Sequence, residues 1–89
     1  MNVSFTANGW ENYKYWIEND TDILEKINTL LKEIRRDPFR GIGKPEPLSG
    51  NLKGYWSRRI TGEHRLVYHV SGTKPNQTLT IIQASVMST

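Results

Sequence analysis

The chain contains no cysteine and only two histidines among its 89 residues. Disulfides, thiolate nucleophiles and thiolate metal sites are therefore excluded, and two imidazoles do not by themselves furnish a closed zinc site. The composition calls for no metal and no other cofactor. No apolar run approaches the roughly 18 residues of a membrane span, and the opening Met1-Asn2-Val3-Ser4-Phe5 lacks the basic-then-apolar order of a secretory signal. The expected setting is the cytoplasm, with no membrane partner. Repeats and low-complexity linkers are absent, and the length leaves no room for a second core, which predicts one domain over residues 1–89.

What the chain does have is enough apolar surface to fold: three Trp, four Tyr and two Phe within a 36% hydrophobic composition, too much for a disordered segment. Its net charge of +3 is unevenly spread, with three Lys against six acids in residues 1–34 and nine Lys or Arg against three acids in residues 35–89. A basic second half of this kind is expected to seek a polyanion, although basic residues can also do no more than solvate exposed strands.

Val3-Ser4-Phe5-Thr6-Ala7 alternates apolar and polar, which predicts a short half-buried strand. Asn8-Gly9-Trp10-Glu11 reads as a helix cap, and Trp10, Tyr13, Trp16 and Ile17 follow at helical spacing, predicting an inward face on a helix that runs to about Asn19. Asp22-Ile23-Leu24-Glu25 repeats the cap signal ahead of a broad stripe of Ile23, Leu24, Ile27, Leu30, Leu31 and Ile34, which ends before Pro38. Between Phe39 and Gly54 the breakers Gly41, Gly43, Pro45, Pro47, Gly50 and Gly54 predict an ordered loop. Tyr55 to Ile60, His64 to Val70 and Thr78 to Ala84 are rich in β-branched and aromatic residues and are separated by turn signals. The order β-α-α-β-β-β predicts an α+β fold with two N-terminal helices packed as scaffold on an antiparallel sheet.

If Thr61, Gly62 and Glu63 form a three-residue hairpin loop, Arg59 lies opposite Arg65. Alternation then puts Trp56, Ile60, Leu66, Tyr68 and Val70 toward the helices, and Tyr55, Ser57, Arg59, Arg65, Val67 and His69 on the other face. Like charges opposite one another on a sheet are destabilising, which suggests a phosphate between the two guanidiniums; pairing with an acid such as Glu63, or splaying into water, would also relieve the repulsion. Glu46 sits between Pro45 and Pro47, whose rings restrict the backbone and would fix the direction of the carboxylate. A fixed carboxylate, ionised at neutral pH, could take a proton from a ribose 2′-hydroxyl while the arginines stabilise charge on the adjacent phosphorus. The bland alternative is a solvated glutamate in a loop.

Three blocks, Gly41-Ile42-Gly43-Lys44-Pro45-Glu46-Pro47-Leu48, Gly54-Tyr55-Trp56-Ser57-Arg58-Arg59-Ile60 and Glu63-His64-Arg65-Leu66-Val67-Tyr68, together resemble the Txe/YoeB family of RelE-like bacterial toxins, over residues 5 to 83. The resemblance implies a RelE-like, microbial ribonuclease-like fold. It also implies a toxin of a type II toxin-antitoxin system that enters the ribosomal A site and cleaves mRNA by 2′-hydroxyl attack without a metal. The implied partners are a YefM-like antitoxin, the ribosome and mRNA, with DNA reached only through the antitoxin, and a homodimer stays open. At matching positions Glu46 is the general base, Arg65 stabilises the transition-state phosphate and Arg59 is a second basic residue of the site. Lys44 and Lys53 become expected RNA-backbone contacts, with Tyr55, Ser57 and His69 as further RNA contacts on the same face.

The likeness fails at the C-terminus. Family members typically finish with a basic residue, an aromatic, a His acting as general acid, and a Tyr, where this chain has Ser85-Val86-Met87-Ser88-Thr89; Ser49 also stands where many relatives carry Lys. Loss of a positioned acid typically costs about 10² to 10⁴ in rate, so weakened cleavage is expected. The alternative is a catalytically inactive decoy of the same fold that binds RNA, ribosome or antitoxin. His69 is a poor substitute for the acid, since four strand residues put its backbone roughly 13 Å from that of Arg65, and His64 is expected on the helix side.

Overall fold

Each helix begins where a short polar side chain can satisfy the free N–H groups of a first turn. In a computed structural model describing residues 1–86, the Thr6 hydroxyl accepts from the Gly9 N–H at 3.1 Å, and the Asp20 carboxylate accepts from the N–H groups of Asp22 and Ile23 at 3.1 and 3.2 Å. Both caps lie two residues ahead of the predicted ones, because the side chain that reaches the first turn is the one still in extended backbone. The elements are β1 (Asn2–Phe5), α1 (Ala7–Asn19), α2 (Thr21–Arg36), β2 (Glu46–Pro47), a 3-10 turn (Gly50–Leu52), β3 (Trp56–Arg59), β4 (His64–Ser71) and β5 (Thr78–Val86).

On α2 the predicted stripe is the buried one: Ile27, Leu30 and Ile34 are buried, and Ile23, Leu24 and Leu31 pack partly against them. They meet Leu66, Tyr68, Leu79 and Ile81 of the sheet, all fully buried. At about 1.5–3 kcal/mol for each large aliphatic removed from water, this layer supplies the packing that a chain without cross-links requires.

α1 departs from expectation. Its buried residues are Gly9 and Trp16, while Trp10 and Ile17 are 44% and 46% exposed. The helix lies so close to β5 that a Cβ at Gly9 would collide with the Ile81 carbonyl, and its inner face is partly polar. The Asn8 amide donates to the Ile82 carbonyl at 3.0 Å, Asn12 Oδ1 accepts from the Ala84 N–H at 2.9 Å, and Trp16 Nε1 donates to the Ala84 carbonyl at 2.7 Å. These side chains satisfy the β5 edge where β1 stops, since β1 pairs only with Thr78 to Ile81. Trp10 packs outside this contact, against Phe5 and Tyr13.

The five strands run in the order β1-β5-β4-β3-β2. The pairs β3–β4 and β4–β5 are antiparallel, as expected; β2 also pairs antiparallel with β3, whereas β1 joins β5 in parallel, so the sheet is mixed. A parallel pair separated by most of the chain leaves no local turn signal to read. Likewise the predicted loop from Phe39 to Gly54 contains β2, an outer strand where the missing N–H of Pro47 is tolerated. Among the described residues no helix is long and apolar enough to cross a membrane.

Candidate functional site

Residues directly opposite one another in an antiparallel sheet share a face, and same-face residues along a strand are about 7 Å apart. Three rows result on the face turned away from the helices. Glu46, Ser57, Val67 and Gln83 form the middle row. Arg59, Arg65 and Ser85 form the row on one side of it, with Arg59 opposite Arg65 as the three-residue turn predicts. On the other side Tyr55 meets His69, with ring centroids 5.2 Å apart, and His69 pairs with Thr80. A β-bulge in β5 between the partners of Val67 and Tyr68 sharpens the local twist beside the middle row.

The face carries unneutralised charge. Among the described residues the ion pairs within 4.0 Å are Lys14–Glu11, Arg36–Glu33 and His64–Glu63, so Glu46, Arg59 and Arg65 have no such partner. Glu63, the alternative acid partner for the arginines, lies 3.9 Å from His64 Nε2 instead. Arg65 Nη1 makes only long contacts to the carbonyls of Thr61 and His64, at 3.4 and 3.5 Å. Ser57 and Val67, each 1% exposed, are the buried floor, and Glu46 stands exposed beside them.

The support for Glu46 comes from below the sheet. Arg58 points to the helix side and is fully buried. Its Nε donates to the Tyr68 hydroxyl at 3.2 Å, Nη1 to the Ile42 carbonyl at 3.1 Å, and Nη2 to the carbonyls of Asp37 and Arg40 at 2.7 and 2.9 Å. Tyr68 in turn donates to the Pro38 carbonyl at 2.6 Å. Burial raises the Tyr68 pKa above the ordinary tyrosine value, an effect only partly offset by Arg58. The segment leading to Glu46 is thus wrapped around one guanidinium. Gly43 closes the wrap: its carbonyl accepts from the Arg59 N–H at 2.6 Å, and a Cβ there would press on Leu30 and Arg58 at 3.0 and 3.1 Å. Lys44 then takes a positive φ of 49°, uncommon for a residue with a side chain, and redirects the chain into Pro45 and β2.

The structure thus gathers Glu46, Arg59, Arg65, Tyr55 and His69 on one face. It puts Ser57 in the floor of that face instead of at its surface, and leaves exposed Lys53 in the turn between β2 and β3, outside the three rows. Lys44 is exposed and follows the Gly43–Arg59 contact. His69 is two rows from Arg65 but only one from Glu46, and His64 packs on Trp16 at 4.9 Å, on the helix side. Of the expected acid-free tail, Ser85 pairs with Arg65 and Val86 is exposed, whereas Met87, Ser88 and Thr89 lie outside the described residues. Sequence reasoning missed Arg58 and Gln83. For Arg58 a signal existed, since alternation from Arg59 puts it on the apolar face, where a charge must find internal partners.

Known proteins share this fold along its length. The family model for the YoeB-like toxin of bacterial type II toxin-antitoxin systems matches residues 5–86. Toxin YoeB of Streptomyces coelicolor is 53% identical over 85 residues, covering 94% of this chain and 95% of its own. The solved YoeB/ParE toxin from Agrobacterium tumefaciens superposes with a TM-score of 0.94 at 48% identity, over 99% of this chain and 100% of that one. YoeB of Staphylococcus aureus, solved as a dimer and in complex with YefM, gives a TM-score of 0.88 at 44% and 43% identity, over 99% of this chain and 98% of that one. With the matching fold and the matched segment both spanning nearly all of it, this chain belongs to the YoeB-like toxins of bacterial type II toxin-antitoxin systems.

Proposed function

We propose that this chain is a ribosome-dependent endoribonuclease that cleaves mRNA in the A site, using side chains alone. Glu46 takes the proton from a ribose 2′-hydroxyl, and the 2′-oxygen attacks the adjacent phosphorus. The bond to the leaving 5′-oxygen breaks, giving a 2′,3′-cyclic phosphate on one fragment and a 5′-hydroxyl on the other once that oxygen gains a proton. Arg65 and Arg59 stabilise the charge that builds on the phosphoryl oxygens. The observation that carries this reading is the register that sets the unpaired Glu46 carboxylate one row from two unpaired guanidiniums on the same face. Lys44 and, more distantly, Lys53 would meet the RNA backbone.

Neither Ser85 nor Val86 can protonate the leaving oxygen near neutral pH, so water would do so and the rate is reduced by about 10² to 10⁴. The same observation favours a second reading, a decoy that occupies the ribosome or antitoxin without cutting. The antitoxin would be YefM-like, by analogy with the Staphylococcus aureus complex, and the dimer of that relative supports a homodimer here. Any DNA contact would run through the antitoxin, and the setting would be the cytoplasm, with residues 1–89 acting as one domain.

Toeprinting and 5′-end mapping in an in vitro translation reaction test the proposal. Codon-phased cuts that vanish with Glu46→Gln, with the fold retained, support the nuclease; translation arrest with no cuts supports the decoy. Substituting His and Tyr for Met87 and Ser88 is expected to raise cleavage, and no gain would mean that the tail does not serve the site.

A further inference from the structure

β2 is too short to hold Glu46 by itself. It has two residues, pairs with β3 through Glu46–Ser57 and Pro47–Trp56, and lacks a backbone donor at Pro47 and, just ahead of it, at Pro45. The direction of the carboxylate is therefore set by the chain on either side. Downstream, the Leu48 N–H donates to the Tyr55 carbonyl at 2.9 Å. Upstream, the carbonyls of Asp37, Arg40 and Ile42 are held by the Arg58 guanidinium, and that of Gly43 by the Arg59 N–H. Gly41 lets the backbone close on this side chain, since a Cβ there would stand 3.2 Å from Arg58 Nη1. Three consecutive residues of β3 thus serve the site from both sides of the sheet. Ser57 lies opposite Glu46, Arg59 lies opposite Arg65 on the open face, and the buried Arg58 grips the segment that delivers Glu46.

We propose that Arg58 is a positioning residue for cleavage, setting how far the Glu46 carboxylate stands from the phosphate that Arg59 and Arg65 hold. This rests on the nuclease reading, in which Glu46 is the base. Taking a guanidinium out of water offsets much of what its hydrogen bonds contribute to stability. What it adds is direction: a rigid planar fork fixes several acceptors at once, which the point charge of a lysine cannot do. A reacting group displaced by about 1 Å can lose roughly 10² in rate. Loosening the fork should therefore slow proton transfer to Glu46 and leave the grip on RNA intact.

The test is single-turnover cleavage of mRNA on programmed ribosomes with the toxin in excess, read as the maximal rate and the toxin concentration that gives half of it. Each variant is first checked for a native amide spectrum. Arg58→Lys is expected to lower the maximal rate roughly 10- to 100-fold and leave the half-saturating concentration unchanged. Tyr68→Phe, which removes the partner of Arg58 Nε from another strand, should give a smaller loss in the same constant, and it carries the test if Arg58→Lys does not fold. Ile27→Val, a core truncation that removes no hydrogen bond of the cage, should change neither constant. A double-mutant cycle separates positioning from folding. On a Glu46→Asp background, where the carboxylate is already withdrawn by one methylene, Arg58→Lys should cost much less than in wild type. An equal fold-loss on both backgrounds, or a loss confined to the half-saturating concentration, overturns the positioning role while the nuclease reading stands. Cleavage that survives Glu46→Gln, or that wild type lacks, removes the nuclease reading, and the positioning role falls with it.

Discussion

Arg58 and Arg59 adjoin in the chain, yet the first guanidinium is fully buried with four hydrogen bonds, and the second is exposed on the open face with no acid within 4.0 Å. The buried cation is matched by three backbone carbonyls and a tyrosine hydroxyl, which makes the residue 37–43 segment its ligand cage. The exposed one faces a second arginine and is matched by nothing. Strand alternation produces the contrast: one step along β3 separates a group whose surroundings are complete from a group that lacks a counter-charge. Charge in the interior organises the loop, and charge on the surface stands without an acid within 4.0 Å among the described residues.

The comparison breaks most decisively at Arg58. Arg58→Met should cost about 3–5 kcal/mol, because several buried acceptors lose their donor at once; urea denaturation measures this, and a loss below about 1 kcal/mol would mean that the cage is not what orders the segment. Arg65→Ala should do the opposite, lowering cleavage by about 10² to 10³ with stability changed by no more than about 0.5 kcal/mol. Primer extension read beside the same denaturation experiment separates the two arginines.

Smaller effects sharpen the contrast. Tyr68→Phe leaves Arg58 Nε and the Pro38 carbonyl without a partner and should cost about 1–2 kcal/mol. The same variant carries a pH signature. Since burial raises the Tyr68 pKa in the fold, the stability tied to its neutral form is fully present below the unfolded value of about 10 and is lost as pH rises through the higher folded value. Wild type should therefore lose more stability than Tyr68→Phe in alkaline denaturation. The smallest change belongs to Arg59→Gln, which relieves the repulsion with Arg65 and should add a few tenths of a kcal/mol at low ionic strength. That gain should fade in 1 M salt, where the screening length falls to about 3 Å.

Much of this was legible in the sequence, for identifiable reasons. The α2 stripe, the three later strands and the Arg59–Arg65 register all follow from periodicity and a short turn, which are local. What stayed hidden is set by distant partners. Periodicity sorts side chains by affinity for water, so it turned Trp10 and Ile17 inward and could not foresee that Asn8 and Asn12 are needed to bond β5. The parallel β1–β5 pairing has the same origin. In the site, Pro45 and Pro47 marked Glu46 as fixed, but its opposition to Ser57 and the Arg58 cage under it arise from contacts spanning the residue 37–58 stretch, which no local pattern encodes.

The polar stripe of α1 also bears on how these molecules behave in a crowded solution. A strand left with free N–H and C=O groups templates further strands, the route to intermolecular stacking and fibres. Here Asn8, Asn12 and Trp16 occupy such groups on β5, and the sheet terminates in strands of four and two residues, the latter ending in Pro47. Among the described residues the margins of the sheet are short or partly occupied, which leaves few free N–H and C=O groups to template a cross-β stack.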